Sequence, residues 1–394
     1  MLQKLLDHSP DLQRLVTEGY ELEIRGAFAL VHHIPYVNEK KEISYGTLVS
    51  PLTLSGDATK RPESHVIHFI GEQPCDKEGN KMTYLMHPNP PEDINLGEGI
   101  VINRSFSNKP ANGYPDFYEK FVQYIKVISS PAISLDKNVT AQTYRTVTEE
   151  HVSVFQYEDS NSARASIGGI SEKLKNQNIG IIGLGGSGSY VLNLVAKCPV
   201  QSIHLYDGDK FFQHNAFRAP GAAAFDEIKQ CDSKVHYFTR MYSKMHKNII
   251  PHDMFVHEQN VAELDGLDFV FLCVDKGDVK KVVSEYLLHK GVPFVDSGID
   301  VMNVDDTLLG QVRTTIVSPE CRDGLATIDM STDERPDEAY RSNIQIAELN
   351  ALSACMAVLK WKKYCGFYQA VRTHCVDVYS MNDGELFHES KESL

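Results

Sequence analysis

Between Gly183 and Asp275 the chain carries residue types that together suit the handling of a polyphosphate. Gly183, Gly185, Gly186 and Gly188 lie within GLGGSG. Glycines let backbone N–H groups approach an anion closely, and the N-terminus of a following helix favours negative charge. Asp207, 19 residues after Gly188, stands where a carboxylate accepts hydrogen bonds from ribose hydroxyls. Asp209 either assists it or ends the strand. Asn215, Arg218 and Lys234 are donors that suit phosphate oxygens, arginine as a planar fork and lysine as a point charge. Asp275 ends the next strand, at the edge where such sheets bind ligands, and a carboxylate there suits Mg²⁺. Each residue taken alone has a plainer reading as a tight turn, a surface cation or a strand-ending acid. Together they point to a triphosphate that is cleaved.

Two other readings use part of this set. An NAD-dependent oxidoreductase accounts for the glycine turn and Asp207 but leaves Asn215, Arg218, Lys234 and Asp275 without a role. A non-catalytic nucleotide-binding scaffold needs no reacting residue at all.

The elements that must position these residues follow from periodicity. A buried strand at Ile179–Ile182 enters the glycine turn, a helix leaves it, and a second strand, Ser202–Tyr206, ends at Asp207. Beyond it we expect a helix around Asp226–Lys247 and a strand near Met254–His257. A strand at Asp268–Val274, a helix at Val279–His289 and a strand at Pro293–Asp296 follow. Leu308–Ile316 is expected to pair antiparallel, and a loop of little periodicity spans Ser318–Ser342. A helix from Gln345 to Tyr364 ends at Gly366, before two short strands. The expected fold is α/β: a doubly wound, mostly parallel Rossmann-like sheet with an antiparallel extension, over residues 163–394. Residues 1–150 read as a smaller α+β domain without a glycine loop or ligand cluster. It has a first helix from Leu2 to Glu18, four strand-like stretches and a helix at Tyr114–Ser129 with Phe117, Phe121, Tyr124 and Ile125 on one face. His65 and His68 read as satisfied strand histidines.

Composition narrows the class. The chain has 394 residues, 42% hydrophobic and 23% charged, with a net charge of −14. No long basic run offsets that charge, so a nucleic-acid partner is not expected. No apolar stretch approaches the roughly 20 residues of a membrane span. The N-terminus, with Asp7, Asp11 and Glu18 in an amphipathic pattern, is not expected to be a signal peptide. A cytoplasmic protein is expected. The eight cysteines form no CxxC pair, so neither a zinc ribbon nor a disulfide framework is expected.

GLGGSGS, DGD, HNAFR, Lys234 and the VD at Asp275 resemble the adenylyltransferase superfamily that contains ThiF, the molybdopterin-synthase adenylyltransferases and the ubiquitin-like-protein activating enzymes. The resemblance implies Mg-ATP-dependent adenylation of the C-terminal carboxylate of a ubiquitin-like or sulfur-carrier protein, and a homodimer. It assigns Asp207 to ribose, Asn215, Arg218 and Lys234 to the phosphates, and Asp275 to the metal. It also implies an arginine supplied across the dimer interface, loosely matched by Arg164. An acyl-accepting cysteine in the crossing loop would be Cys321. Where the family often has Gln after the arginine, this chain has Ala219 and Pro220. A looser resemblance of the whole chain, on HFIGEQPCDKEG and NIQIAELNALSACMAVLKWKKYCGFY, is to bacterial ThiF-type proteins encoded beside ubiquitin-like and conjugating-enzyme-like partners. It implies that the N-terminal domain recruits such a partner.

Overall fold

The computed structural model describes residues 2–87, 93–147, 153–331 and 344–389. The chain divides into two compact units, one comprising Met1–Ser153 with Tyr157–Glu172, the other Val154–Gln156 with Lys173–Leu394.

In the first unit, Pro10 breaks the single helix expected at the start. Leu2–Asp7 is separated from α1, Pro10–Thr17, which begins at the proline because the missing N–H has no partner to lose there. Five antiparallel strands follow in the order β1 (Leu22–Arg25), β2 (Phe28–Val37), β3 (Ile43–Pro51), β4 (Val66–Ile70) and β5 (Arg104–Ser107). Helix α2, Phe117–Leu135, is capped by the Asp116 carboxylate on the Glu119 N–H. It buries Phe117, Phe121, Tyr124 and Ile128 against one face of the sheet, in a core shared with Ala29, Val31 and Leu48. The other face carries Phe28, Leu30 and Val49, packed with Leu96, Ile100, Ile102 and Ala163. Residues 163–172, expected in the second domain, belong here. Gly168 lies so close to the Leu96 carbonyl that no side chain would fit.

The second unit holds an eight-stranded sheet. Its strands are β6 (Asn178–Ile182), β7 (Ser202–Tyr206), β8 (Ile249–His252), β9 (Phe269–Leu272), β10 (Phe294–Val304), β11 (Thr307–Val317), β12 (Val376–Ser380) and β13 (Glu385–Glu389), in spatial order β8-β7-β6-β9-β10-β11-β12-β13. The first five are parallel and the last three add antiparallel. Helices cover both faces, so the parallel strands read as apolar runs. Helix α3 (Gly186–Val195), helix α5 (Lys234–Tyr242) and helix α7 (Ala347–Tyr364) contribute Val191, Phe238 and Trp361 to one core, and α6 (Gly277–Lys290) contributes Val283 and Leu287 to the other. A short helix, α4, spans Gln213–Ala216.

Three expectations shift. The helix around Asp226–Lys247 is interrupted at Cys231, whose φ is +49°. The strand expected at Met254–His257 ends at His252, which makes 254–257 a loop. The crossing loop from Ser318 to Ser342 is described only to residue 331; 332–343 lie outside the described residues. Among the described residues no helix is long and apolar enough to cross a membrane.

Candidate functional site

The crevice forms at β6, which lies between two parallel neighbours, β7 and β9. The helices that follow β6 and β9 pack on opposite faces of the sheet, and in such sheets ligands bind at the carboxyl edge where the connections part. The strand ends are tied: Gly183 N–H donates to the Tyr206 carbonyl at 2.8 Å and Cys273 N–H to the Ile182 carbonyl at 2.8 Å.

The four glycines of the turn are required for different reasons. Gly183 has φ +89°, and a Cβ there would stand 2.8 Å from the Cys273 carbonyl. Any side chain at Gly188 would collide with the Gly183 carbonyl, and one at Gly186 with the Asn350 side chain. Gly185 differs, because a Cβ there would meet nothing within 4 Å. Packing explains three of the glycines. The fourth keeps space open immediately before α3, whose N-terminus has no side-chain cap.

Asp207 is 7% exposed. One oxygen accepts from Leu184 N–H at 2.7 Å and the other from Asp209 N–H at 2.8 Å. Tight turns leave such amides without backbone partners, and a carboxylate satisfies both strongly. Lys234 Nζ lies 2.7 Å from Asp209 and 3.4 Å from each Asp207 oxygen. The lysine expected at the phosphates thus braces two acids here. Asp209, with its side chain 57% exposed, presents its carboxylate outward, whereas Asp207 holds the turn.

Asn215 is buried in α4, its carboxamide oxygen accepting from Phe212 N–H at 2.8 Å and its carbonyl from Arg218 N–H at 3.1 Å. It shapes the turn that carries Arg218. Arg218 Nε is buried with no hydrogen-bond partner. A buried charged donor left unmet is costly unless something absent from the protein itself meets it. Asp275 is exposed between β9 and α6. Among the described residues no group of three or more His, Cys, Asp or Glu is arranged to hold a metal ion.

Sequence reasoning missed several neighbours. Phe255, 53% exposed, packs on Gly208, where a Cβ would stand 2.7 Å from its ring, and Lys276 Nζ lies 5.6 Å from the ring centre. The strand misassigned to 254–257 concealed it. Behind the crevice, Lys280 Nζ lies 2.7 Å from the buried Asp296 carboxylate, whose oxygens otherwise lack a well-directed donor. Burial, then the nearby Asp296, pushes the Cys273 thiol up to about 12. Ser187 Oγ donates to the Asn350 carboxamide oxygen at 3.2 Å, while the Asn350 amide nitrogen is buried without a partner.

Two expected residues fall outside this set. Cys321 is 2% exposed and bonded to Cys375, so it presents no thiol. The expectation of no disulfide is corrected with it. The two residues are 54 apart in sequence, and only the pairing of β11 with β12 brings them together. Arg164 belongs to the first unit, where it is exposed and paired with Glu63 at 2.9 Å.

The first unit has a polar hollow of its own, about 640 Å³, lined by Glu21, Glu23, Arg25, His32, His33 and Tyr45 among others. A bulge between Val31 and Ile34 places His33 at φ +60°, stacked on Tyr45. Glu23 is buried and accepts from Arg25 Nε at 2.7 Å, from Arg25 at a second nitrogen at 2.9 Å, and meets His32 at 2.7 Å. Burial raises its carboxyl, but the hydrogen bonds and charge of Arg25 and His32 outweigh that and leave it below the ordinary value. His65 and His68 meet Ser107 and Ser105, at 3.0 and 2.8 Å. Burial, with Lys120 and His87 nearby, lowers His68 to about 4.

Comparison with known proteins fits the crevice. The ThiF family model matches residues 159–390, more than half of the chain. The chain belongs to the ThiF family. A second model, a domain of unknown function (DUF6791), matches residues 10–160. Among curated proteins the chain is similar to ubiquitin-like modifier-activating enzyme 5 of Dictyostelium discoideum, 25% identical over 161 residues, which is 37% of this chain and 40% of that protein. The same enzyme of Xenopus laevis is 25% identical over 144 residues, 32% of this chain and 35% of its own length. The chain therefore spans under half the length of these relatives. Among solved structures, E. coli MccB with MccA-N7isoASN overlaps 58% of this chain and 69% of its own, at 16% identity and a TM-score of 0.47. PaaA overlaps 56% of this chain and 74% of its own, at 16% identity and a TM-score of 0.45. Family membership supports an adenylyltransferase class of enzyme with ATP as its nucleotide.

Proposed function

We propose that the second unit adenylates the C-terminal carboxylate of a small ubiquitin-like or sulfur-carrier protein. The observation that carries this reading is the orphaned Arg218 Nε, in the same unit as a glycine turn that leads into a helix without a side-chain cap and keeps open space at Gly185. A buried cationic donor and a bare backbone cradle suit a phosphate chain. The carrier carboxylate attacks the α-phosphorus, pyrophosphate departs, and an acyl-adenylate forms. The protein's contribution is positioning and charge neutralisation. Arg218 meets charge developing on the phosphates, and the α3 N-terminus receives phosphate oxygens. Asp209, more exposed than Asp207, meets the ribose hydroxyls. Asp207, Lys234 and Asn215 hold the turns on which those groups stand. Asp275 suits Mg²⁺, which takes one or two carboxylates plus phosphate oxygens and supplies charge neutralisation when bound. Phe255 offers a face for the base.

The first unit, in this reading, recruits a partner such as a conjugating-enzyme-like protein, and the chain works as a homodimer. NAD chemistry cleaves no phosphate and leaves Asp275, a carboxylate suited to Mg²⁺, without a purpose. The test is ATP–pyrophosphate exchange with a panel of ubiquitin-like proteins, beside thermal shifts with ATP-Mg²⁺ and with NAD. Exchange stimulated by one of the panel and stabilisation by ATP alone are expected. Stabilisation by NAD alone would sink the reading. Unchanged partner binding after loss of the first 150 residues would remove the recruitment role.

A further inference from the structure

The bridge between Cys321 and Cys375 joins two unlike surroundings. Cys321 is almost fully buried and opens the short helical turn Arg322–Thr327, its N–H donating to the Ser318 carbonyl at 3.0 Å. Cys375 is only half-buried and immediately precedes β12. The sheet makes the same connection without the sulfurs: Ile316 N–H donates to the Cys375 carbonyl at 2.9 Å, and Thr315 pairs with Val376. Opening the bridge therefore requires no strand to separate. A bridge with one partner only half-buried, laid over pairing that survives without it, is arranged for exchange rather than for stapling alone.

We propose that Cys321–Cys375 is a redox-active pair whose substrate is an external dithiol, with Cys375 the sulfur attacked. A thiolate of the dithiol bonds to Cys375 Sγ, the S–S bond breaks, and Cys321 leaves with the electron pair. The second thiol of the reductant then attacks its own sulfur in the mixed disulfide and releases Cys375. The reductant ends as a disulfide, and its two protons end on Cys321 and Cys375. Attack at Cys375 follows from access, since Cys321 has almost no exposed surface. Thiol exchange at this pair requires no adenylation by the second unit.

The test is differential alkylation of the full folded chain, read by peptide mass spectrometry. After oxidised glutathione, the two cysteines are expected as one linked peptide pair and unlabelled. After dithiothreitol without denaturant, both are expected to be labelled, and the linkage to return on reoxidation. With single variants, Cys375 in Cys321→Ser is expected to react with a disulfide probe at least tenfold faster than Cys321 in Cys375→Ser. Failure to form the linkage would overturn the proposal, as would a linkage that opens only on unfolding or faster reaction at Cys321. Circular dichroism of both variants establishes that each is folded.

Discussion

Both units gather charged side chains, and they differ in how completely those groups are met. In the first unit, Glu23 is held by two nitrogens of Arg25 and by His32, and His32 in turn meets Thr47. In the second, Arg218 Nε is buried and meets nothing. A satisfied cluster returns the cost of burying its charges within the fold, whereas an unmet donor leaves that return to a ligand. Richness in charge therefore marks a site poorly. The unmet group is the better sign.

The strongest break of this contrast is to exchange the effects. Arg218→Ala is expected to lower ATP–pyrophosphate exchange by about 10²–10³-fold with little change in melting temperature, since it removes a donor that stabilises only developing charge. Glu23→Ala is expected to do the reverse: exchange unchanged and stability reduced by about 2 kcal/mol, because Arg25 and His32 lose their partner while still partly exposed. Exchange lost in Glu23→Ala and kept in Arg218→Ala would break the contrast.

Lys120 sharpens it from within the first unit. It is 1% exposed, donates to Ser50 Oγ at 2.8 Å, and burial lowers its amine to about 7 from 10.5. A lowered lysine binds fewer protons folded than unfolded between those two values. Stability must then rise with pH across that window, by roughly 2 kcal/mol between about pH 7 and pH 9. Urea midpoints at the two pH values should show this rise, and Lys120→Met should flatten it. A fall with pH in the parent chain would refute the assignment.

The glycines divide the same way. Gly188→Ala is expected to destabilise by about 1–3 kcal/mol through the Gly183 carbonyl. Gly185→Leu is expected to leave the melting temperature nearly unchanged and weaken ATP binding at least tenfold in calorimetry. The smallest effect is expected for Phe255→Ala, where a lost stacking face costs on the order of 1 kcal/mol in nucleotide affinity and nothing in folding. Equal loss of affinity for ATP and free triphosphate in that variant would show that the ring does not meet the base.

The parallel sheet was legible because its strands are short apolar runs punctuated by Gly183, Asp207 and Asp275, each at a carboxyl end. The antiparallel extension was legible in part: the strand expected at Pro293–Asp296 runs on to Val304, because the pairing with β11 continues past the core into solvent, where the apolar signal fades. Cys231 at φ +49° broke a helix that periodicity alone carried through, since a left-handed residue other than glycine has no sequence mark.

Residue types and spacing determined by themselves that this chain folds a nucleotide-type α/β unit, with an acid, an amide and basic residues set behind a glycine turn. That much is local, because periodicity and turn chemistry act within a few residues. Tertiary structure alone decided which of those residues are occupied with the fold and which face outward. Lys234 is bound to Asp207 and Asp209, Asp207 holds Leu184, and Cys321 is bound to Cys375. Each partner comes from another element, and a side chain's remaining valence depends on what the fold brings beside it. That the Arg218 Nε donor is left unmet is visible only after the groups around it have been assigned.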